Sequence, residues 1–213
     1  MSTDLATRRA HERSKYVELA GRAGSQYGAS NHGRSAIGIV KRWKPRFVAD
    51  FGCGRNDFIA ELRRHGIDGV GVDFAFPEAD IKKSMHDTGL VEGVADVVTS
   101  FDALEHLLIE DVVPVLTEMK RVARPRAWFC FSICTRPSRI TVNGENLHPT
   151  VRPLSWWVDV IGRVGVVNAT KVGGRPLPHG EVQVNSPNQS DIVALQRGLK
   201  NRAPARNGLR LYT

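Results

Sequence analysis

Apolar residues along this chain follow two alternating patterns. Short apolar runs bounded by polar residues predict buried strands, and apolar residues spaced three or four apart predict helices that pack on one face. Beyond residue 46 the two patterns alternate regularly along the chain. The predicted helices cover residues 5–24, 35–43, 56–65, 109–122 and 155–163, and the predicted strands cover 47–51, 69–72, 96–99, 128–134, 164–172 and 181–185.

The alternation of strands and helices predicts how these elements assemble. Parallel strands joined by crossover helices form a sheet that is covered on both faces. We therefore expect an α/β fold: a Rossmann-like, mostly parallel sheet with helices on both faces, in a single domain with an N-terminal helical cap. Its expected parts are a basic helical segment or lid (1–46), the ligand-binding domain (47–185) and a basic C-terminal tail (186–213). Ligands of such sheets bind beyond the carboxyl ends of the strands.

The composition is that of an ordinary folded protein. Of the 213 residues, 41% are hydrophobic, which is enough to fill a core. No run approaches the roughly 20 apolar residues of a membrane span, and the polar N-terminus lacks the apolar centre of a secretory signal, so we expect a cytoplasmic protein. Cys130 and Cys134 share a predicted strand at a separation too long for a disulfide, and no cysteine or histidine spacing indicates zinc. We expect reduced thiols and no metal.

The positive charge is concentrated at the two ends of the chain. The formal net charge is +8, and residues 1–46 hold ten basic side chains against three acidic ones. Residues from 186 onward are also basic, whereas the middle of the chain is slightly acidic. Basic ends on a near-neutral centre suit an anionic partner such as nucleic acid. Solubilising charge on a flexible tail explains the same pattern equally well.

The segment VADFGCGRND (48–57) carries the strongest chemical signal. Gly52 and Gly54 lie between a strand and a helix, where a missing Cβ lets the backbone turn sharply and approach a ligand. The next strand ends in Asp73, 23 residues beyond Asp50. An acid at that position can accept hydrogen bonds from both ribose hydroxyls of a nucleoside. Phe74 is a candidate to lie against the base, with core packing as the alternative.

Two features of this turn select the nucleoside. A dinucleotide site needs a third glycine, so that helix amides reach a pyrophosphate, and here that glycine is missing. Asp50 ends the first strand directly below the turn, where its charge would repel a pyrophosphate but suits a ligand that carries ammonium and sulfonium groups. The turn therefore favours S-adenosylmethionine over NAD.

The motifs DFGCG, GVGVD and ADVVTSFDALEHL, in this order and spacing, resemble the class I S-adenosylmethionine-dependent methyltransferases, in particular the branch with a Leu-Glu-His signature after the fourth strand. The resemblance covers about residues 47–170 and implies that S-adenosylmethionine is the cofactor. It further implies roles for single residues. Asp50, Gly52 and Gly54 would hold the methionine part, Asp73 the ribose and Asp87 the adenine amino group, while Ser100, Phe101 and Asp102 would lie beside the reactive methyl.

The stretch GENLHPTVRPLSWWVDVIGRVG resembles the part of this family that covers the acceptor pocket. A base is needed only when the acceptor loses a proton, and His148 and His106 are the candidates because imidazole titrates near neutral pH. For His106 we favour a structural role that fixes its loop. For His148 a catalytic role and a structural role are both open. By analogy with the family alone, Tyr27, Asn31 and His32 belong to a loop that closes over the cofactor.

The sequence therefore predicts a methyltransferase whose acceptor is open. The Leu-Glu-His resemblance points to a small molecule, and the basic ends point to RNA. The signatures of enzymes that methylate exocyclic amines or C5 of DNA bases are missing after the fourth strand, where the chain reads SFDA. The alternatives are a non-catalytic module that binds S-adenosylmethionine or interacts with nucleic acid, and an NAD-dependent enzyme.

Overall fold

The computed structural model describes residues 4–22, 27–28, 31–165, 182–185 and 191–196. The helices are α1 (Leu5–Gly21), α2 (Asn31–Arg42), α3 (Asp57–Arg64), α4 (Ile109–Val122) and α5 (Leu154–Arg163), with a 3-10 turn at Leu104–His106. The strands are β1 (Phe47–Phe51), β2 (Asp68–Val72), β3 (Ala95–Phe101), β4 (Ala123–Ile133), β5 (Thr141–Val142), β6 (Glu145–Asn146), β7 (Val182–Asn185) and β8 (Asp191–Gln196). The predicted bounds of β1 and α4 are confirmed to the residue.

The main sheet has the strand order β2-β1-β3-β4-β8-β7. Strands β2, β1, β3 and β4 are parallel, and β8 and β7 add to the β4 edge in antiparallel pairing. Because β1 lies between β2 and β3, the chain leaves β1 in one direction and later returns to its other side. A crevice opens at such a reversal of strand order, beyond the carboxyl ends of the strands. The predicted mostly parallel sheet is confirmed.

Side chains of successive strand residues point to opposite faces of a sheet, so a strand that is buried throughout has apolar side chains on both faces. Helices cover both of these faces. All seven residues of β3 are buried. Val98 packs with α4 and α5 on one face, in a core that includes Trp157. The adjacent Val97 packs with α2 and α3 on the other face. The predicted two-faced arrangement is confirmed.

Helix α1 packs outside these layers and forms the cap. Its apolar stripe is narrow, and Tyr16 and Leu19 pack against Val142 and Leu147 from the segment that includes β5 and β6. Its basic side chains form ion pairs with acidic residues elsewhere in the fold and within α1. The pairs are Arg8–Glu110, Arg9–Asp111, Lys15–Glu145 and Lys15–Glu12. Several of the positive charges counted in the N-terminal segment therefore attach α1 to the domain.

The C-terminal part of the sheet differs from the sequence expectation. Strand β8 lies within the segment 186–213 that the sequence analysis describes as a tail, and it pairs with β4 along six residues. The predicted strand 164–172 begins where α5 has just ended, and residues 166–172 lie outside the described residues. Strand β4 begins at Ala123, earlier than predicted, because α4 runs directly into it and Ala123 pairs with Ala95. None of the helices in the described residues is long and apolar enough to cross a bilayer.

Candidate ligand-binding site

A cavity of about 500 Å³ lies at the carboxyl ends of β1, β2 and β3, and we call it the strand-end cavity. The turn after β1, the segment after β2 and the segment after β3 form its floor and sides. Tyr16 and Leu19 of α1, together with Tyr27 and Gly28, close it from the outside. The cavity therefore lies at the strand ends, where the sequence predicts the site. Tyr27, which belongs to the predicted lid, lines the cavity wall. The side chains of Asn31 and His32 lie outside the described residues.

Two glycines of the turn after β1 have backbone conformations that favour glycine. Gly52 has φ +73° and Gly54 has φ +54°. A Cβ on Gly52 would lie 2.5 Å from the Cβ of Ala103, and a Cβ on Gly54 would lie 2.4 Å from the carbonyl oxygen of Gly28. Both glycines line the strand-end cavity, so the turn brings bare backbone to the cavity wall. Asn56 has φ +62° at the start of α3, a conformation that asparagine tolerates better than most residues.

Asp73 connects the two strand ends. Its Oδ2 accepts a hydrogen bond from the backbone N–H of Gly54 at 3.1 Å, and its Oδ1 accepts one from the N–H of Ala75 at 2.8 Å. Burial raises the pKa of this carboxyl, and the backbone donors oppose that shift. Oδ1 also accepts a longer hydrogen bond from the N–H of Phe76 at 3.4 Å, whereas Oδ2 has one backbone donor and keeps a lone pair for a ligand. Asp73 lines the cavity and is the acidic group nearest to the glycine turn there.

Aromatic and sulfur-containing side chains form much of the remaining wall. Phe74, Phe76, Phe101 and Met85 all line the strand-end cavity. Phe74 is held from behind by Tyr16, with ring centroids 6.1 Å apart, and by the Arg13 guanidinium, 4.7 Å from the ring centroid. Phe74 and Phe101, both candidates from the sequence, therefore line the cavity, and their contact with a cofactor stays a prediction. Met85 has no motif that marks it in the sequence.

Three residues that the resemblance assigns to the cofactor do not reach the wall of this cavity. Asp50 is buried beneath the turn, where its Oδ1 accepts a hydrogen bond from the Thr99 hydroxyl at 2.6 Å. The Ser100 hydroxyl is also buried and donates to the carbonyl of Phe51. Asp87 is exposed beyond the cavity rim, and Met85 of the same loop forms the wall instead. Asp50 and Ser100 therefore support the wall from beneath, and Asp87 lies outside it.

Burial raises the pKa of Asp50 to about 7, and the Thr99 hydroxyl opposes that shift. The folded chain thus holds a proton that the unfolded chain releases near the ordinary pKa of 3.8. The stability that this proton gives is present at low pH and is lost as the pH rises through about 7.

We expect Asp50→Asn to become progressively more stable than the wild type as the pH rises from 4 to 8, by up to about 4 kcal/mol. Asparagine keeps an oxygen for the Thr99 hydroxyl and carries no charge at any pH. The measurement is urea unfolding at several pH values, with the exposed Asp87→Asn as the control. If the difference in free energy of unfolding between Asp50→Asn and the wild type stays constant with pH, the pKa of Asp50 is not raised.

Asp102 lies at the cavity wall directly after β3, in a strained conformation with φ +50°. Ser132 of β4 holds it there. The backbone N–H of Asp102 donates to the Ser132 carbonyl at 2.9 Å, and the Ser132 hydroxyl donates to Asp102 Oδ1 at 2.8 Å. The structure thus fixes this carboxylate in the cavity wall, and its place beside a reactive methyl stays a prediction.

The two predicted catalytic histidines lie side by side, with ring centroids 4.7 Å apart. His106 belongs to the cavity wall, and its Nδ1–H donates to the carbonyl of Leu147 at 2.9 Å, which leaves the Nε2 lone pair available. Burial lowers the pKa of His106 to about 3, and His148 adds to the shift. His148 lies behind His106 rather than in the wall, with its Nδ1–H donating to the carbonyl of Arg136 at 2.7 Å. His106 is therefore a neutral imidazole at the cavity.

The sequence analysis missed several parts of the site. Tyr16 donates its hydroxyl to the carbonyls of His106 and Leu147, and so connects α1 to both loops of the wall. A second cavity of about 300 Å³ adjoins the first and shares Tyr16, Phe74, Met85 and His106 with it. The only sequence signal for Tyr16 is its place in the apolar stripe of α1, which carries no information about a ligand.

Comparison with known proteins adds to this geometry. Residues 40–167, more than half of the chain, match the family model of a methyltransferase domain. No curated protein matches the chain significantly.

Solved structures share the fold. The structure of 1,6-didemethyltoxoflavin-N1-methyltransferase from Burkholderia thailandensis, with bound 1,6-didemethyltoxoflavin and S-adenosylhomocysteine, matches with a TM-score of 0.68 at 15% identity, covering 92% of each chain. Magnesium protoporphyrin IX methyltransferase from Synechocystis PCC 6803, with bound S-adenosylhomocysteine, matches with a TM-score of 0.61 at 14% identity, covering 89% of this chain and 94% of that one. A SAM-dependent methyltransferase from Archaeoglobus fulgidus matches with a TM-score of 0.56 at 13% identity, covering 91% of this chain and all of that one (100%).

Proposed function

We propose that this chain, which belongs to the family of methyltransferase domains, binds S-adenosylmethionine in the strand-end cavity and transfers its methyl group to a small-molecule acceptor. One observation carries the proposal. The cavity wall combines bare backbone at Gly52 and Gly54 with the Asp73 carboxylate, at the reversal of strand order where α/β sheets bind ligands. The family membership removes the support for the NAD-dependent alternative.

The residues of the wall fit this cofactor. The turn at Gly52 and Gly54 packs against Ala103 and Gly28 so closely that a Cβ would collide, and it presents bare backbone at the cavity wall. Oδ2 of Asp73 offers a lone pair to a ribose hydroxyl. Phe74 and Met85 offer apolar surface to a flat base. When bound, S-adenosylmethionine supplies an electrophilic methyl group on a cationic sulfur. Asp102 adds a fixed negative charge to the same wall.

The second cavity is our candidate for the acceptor site. It adjoins the strand-end cavity through Tyr16, Phe74 and His106, and its volume of about 300 Å³ is at the lower end of ordinary small-molecule sites. Arg9, His86 and Asp111 bring polar groups to its wall. Two of the solved structures of the same fold are methyltransferases that their names connect with small molecules, 1,6-didemethyltoxoflavin and magnesium protoporphyrin IX.

An RNA acceptor has less support. The sequence argument for RNA rests on the basic ends, but Arg8, Arg9 and Lys15 of α1 are ion-paired with acidic side chains of the chain itself. An ion-paired arginine offers less net attraction to a phosphate. A small-molecule acceptor requires none of these charges.

The residues of the two cavities promote the reaction mainly by holding the acceptor in contact with the cofactor. Holding two reactants in contact and excluding water lowers the barrier without a proton transfer. His106, as a neutral imidazole in the wall shared by both cavities, can accept a hydrogen bond from an acceptor at Nε2. Its lowered pKa makes it a weak base, so we assign it orientation rather than proton abstraction. We keep His148 as a positioning residue that packs against His106.

The direct test is calorimetry with S-adenosylmethionine, followed by an assay for S-adenosylhomocysteine over a panel of small hydroxyl, amine and carboxyl acceptors. We expect cofactor binding and turnover on at least one small acceptor. Cofactor binding without turnover on any acceptor would instead support a non-catalytic binding module. Salt-sensitive RNA binding with turnover on RNA alone would support the polyanion alternative.

Partial filling of the second cavity should separate the two binding sites. Ser84 lines the second cavity but not the first, and we expect Ser84→Phe to raise the KM for the acceptor about 10-fold or more because its ring occupies acceptor volume. The affinity for S-adenosylmethionine should stay unchanged. The control is Lys82→Phe, at an exposed position of the same loop that lines neither cavity. Equal acceptor KM values in both variants would place the acceptor elsewhere.

A further inference from the structure

Glu105, His106 and His148 form a cluster beside the strand-end cavity. Glu105 and His106 belong to the 3-10 turn after β3, and His148 lies between β6 and α5. Each of the three offers one metal-ligand atom, and these atoms all lie within 4.8 Å of one another. One carboxylate and two imidazoles suit a divalent ion of the first transition series, such as Zn²⁺, Mn²⁺ or Co²⁺.

Both imidazoles make the second hydrogen bond that metal-binding histidines usually make. His106 and His148 each donate Nδ1–H to a backbone carbonyl, of Leu147 and of Arg136 respectively. A carbonyl only accepts, so the proton is on Nδ1 and the lone pair is on Nε2 in both rings. Metal-binding histidines are generally fixed by such a second hydrogen bond. The two rings meet nearly at right angles, 88° apart, so they do not stack against each other.

Glu105 provides an independent observation that points to a ligand. Its side chain is fully buried, and Oε1 accepts a hydrogen bond from the N–H of Cys134 at 2.9 Å. Oε2 is buried without a hydrogen-bond partner among the residues that the structure describes. A buried carboxylate oxygen that lacks a partner costs free energy, and native proteins usually satisfy such an atom. A cation held with the two histidines would satisfy it.

We propose that Glu105, His106 and His148 bind one divalent transition-metal ion, and that an oxygen atom of the methyl acceptor completes its coordination. The acceptor part rests on the proposed function. Metal–ligand bonds of about 2.0–2.2 Å place two ligand atoms no more than about 4.4 Å apart, so the cluster closes by a few tenths of an ångström on binding. Three protein ligands leave at least one position open, as in catalytic metal sites.

With the ion bound, the Nε2 lone pair of His106 would be on the metal, so the ion would take over the orientation of the acceptor from His106 and would add an activation that the neutral imidazole does not provide. A hydroxyl bound to a divalent ion loses its proton to solvent more easily than a free hydroxyl, which makes its oxygen a better nucleophile. Because His106 lines both cavities while Glu105 and His148 lie behind it, an ion held by the three would lie next to the wall that the cofactor and acceptor positions share, with its open coordination position toward that wall. The acceptor class that follows is a hydroxyl compound, and the reaction is an O-methylation: the bond between the acceptor oxygen and the methyl carbon would form as the bond between methyl and sulfur breaks, S-adenosylhomocysteine would leave, and the acceptor proton would go to solvent.

The test uses the full-length, tag-free chain after treatment with EDTA and titrates it with Co²⁺, whose visible absorption reports on its ligands. We expect one equivalent of Co²⁺ to bind with bands typical of nitrogen and oxygen ligation. Glu105→Gln, which keeps an oxygen for the Cys134 N–H, and His148→Ala should each weaken binding at least roughly 100-fold. The control is His11→Ala, because His11 pairs with a carboxylate, Glu145, on the exposed surface and should be irrelevant to the ion.

Circular dichroism and calorimetry with S-adenosylmethionine accompany each titration. Folded variants that bind S-adenosylmethionine but not Co²⁺ support the site, and the cofactor result tests the proposed function separately. If the wild type binds no stoichiometric Co²⁺, or if His148→Ala binds it as tightly as the wild type, the metal site is wrong. If turnover on every active acceptor survives EDTA unchanged, the role of the ion in activating the acceptor is wrong.

Discussion

Gly52→Ala should lose S-adenosylmethionine binding, with an affinity at least about 100-fold weaker than that of the wild type. The added Cβ would lie 2.5 Å from Ala103 Cβ and 3.3 Å from Met85 Sδ, so the turn or the wall has to move. The positive φ of this residue adds about 1 kcal/mol of strain for any side chain. Both effects act on the backbone that forms the cavity floor. Calorimetry measures the affinity, and urea unfolding measures the loss of stability.

Gly66→Ala is the matched control for this prediction. Gly66 has φ +72°, nearly the value of Gly52, but a Cβ there would meet nothing within 4 Å, and the residue does not line the cavity. Alanine at 66 should therefore lower the stability through backbone strain alone and leave cofactor binding intact. If both variants lose affinity equally, general destabilisation explains the result and the turn has no special part in binding.

Asp73→Asn should weaken S-adenosylmethionine binding by about 100-fold or more. A hydrogen bond to a charged group contributes about 1.5–3 kcal/mol, and the carboxylate offers a ribose hydroxyl the lone pair that remains on Oδ2. The amide also places an NH2 donor where one carboxylate oxygen was, against either the N–H of Gly54 or the N–H of Ala75. The glycine turn and the ribose position should therefore both be disturbed. Competition calorimetry with S-adenosylhomocysteine extends the measurement to weak affinities.

Asp68→Asn provides the comparison for Asp73. Asp68 is exposed and begins the same strand, β2, whose other end leads to Asp73, so the chemical change is identical but far from the cavity. Its affinity for the cofactor should equal that of the wild type. An Asp73→Asn protein that folds and binds S-adenosylmethionine with the affinity of the wild type would show that Asp73 does not hold the ribose.

Local sequence patterns contain most of the information about the elements of this fold. The bounds of β1 and α4 follow from the sequence because the burial of a strand or of one helix face sets the period of apolar residues. The glycine turn is also local, since a bend between a strand and a helix and a positive φ both restrict the residue type. The C-terminal strand β8 has no comparable signal, because its place in the sheet comes from pairing with β4.

The sequence motifs do not specify in which direction a side chain points. They therefore do not determine which carboxylates face the cavity. Asp50 and Asp73 both follow apolar strand residues at neighbouring strand ends. Asp50 lies inside the sheet opposite Thr99, and its side chain is directed into the interior. Asp73 follows the last residue of β2 and turns back toward the N–H of Gly54. A shift of one residue along a strand reverses the direction of a side chain, so similar positions in a motif have different environments.

The sequence alone determined the order of the strands and helices from β1 to β4, the place of the cavity at the strand ends and the residues that form its sharp turn. Only the tertiary structure decided that α1 closes the cavity, that Asp50 and Ser100 support it from beneath, and that His148 lies against His106. The physical reason is separation along the chain. Periodicity and turn preferences act over a few residues, whereas the contact between the two histidines depends on how the segments after β3 and β6 pack together.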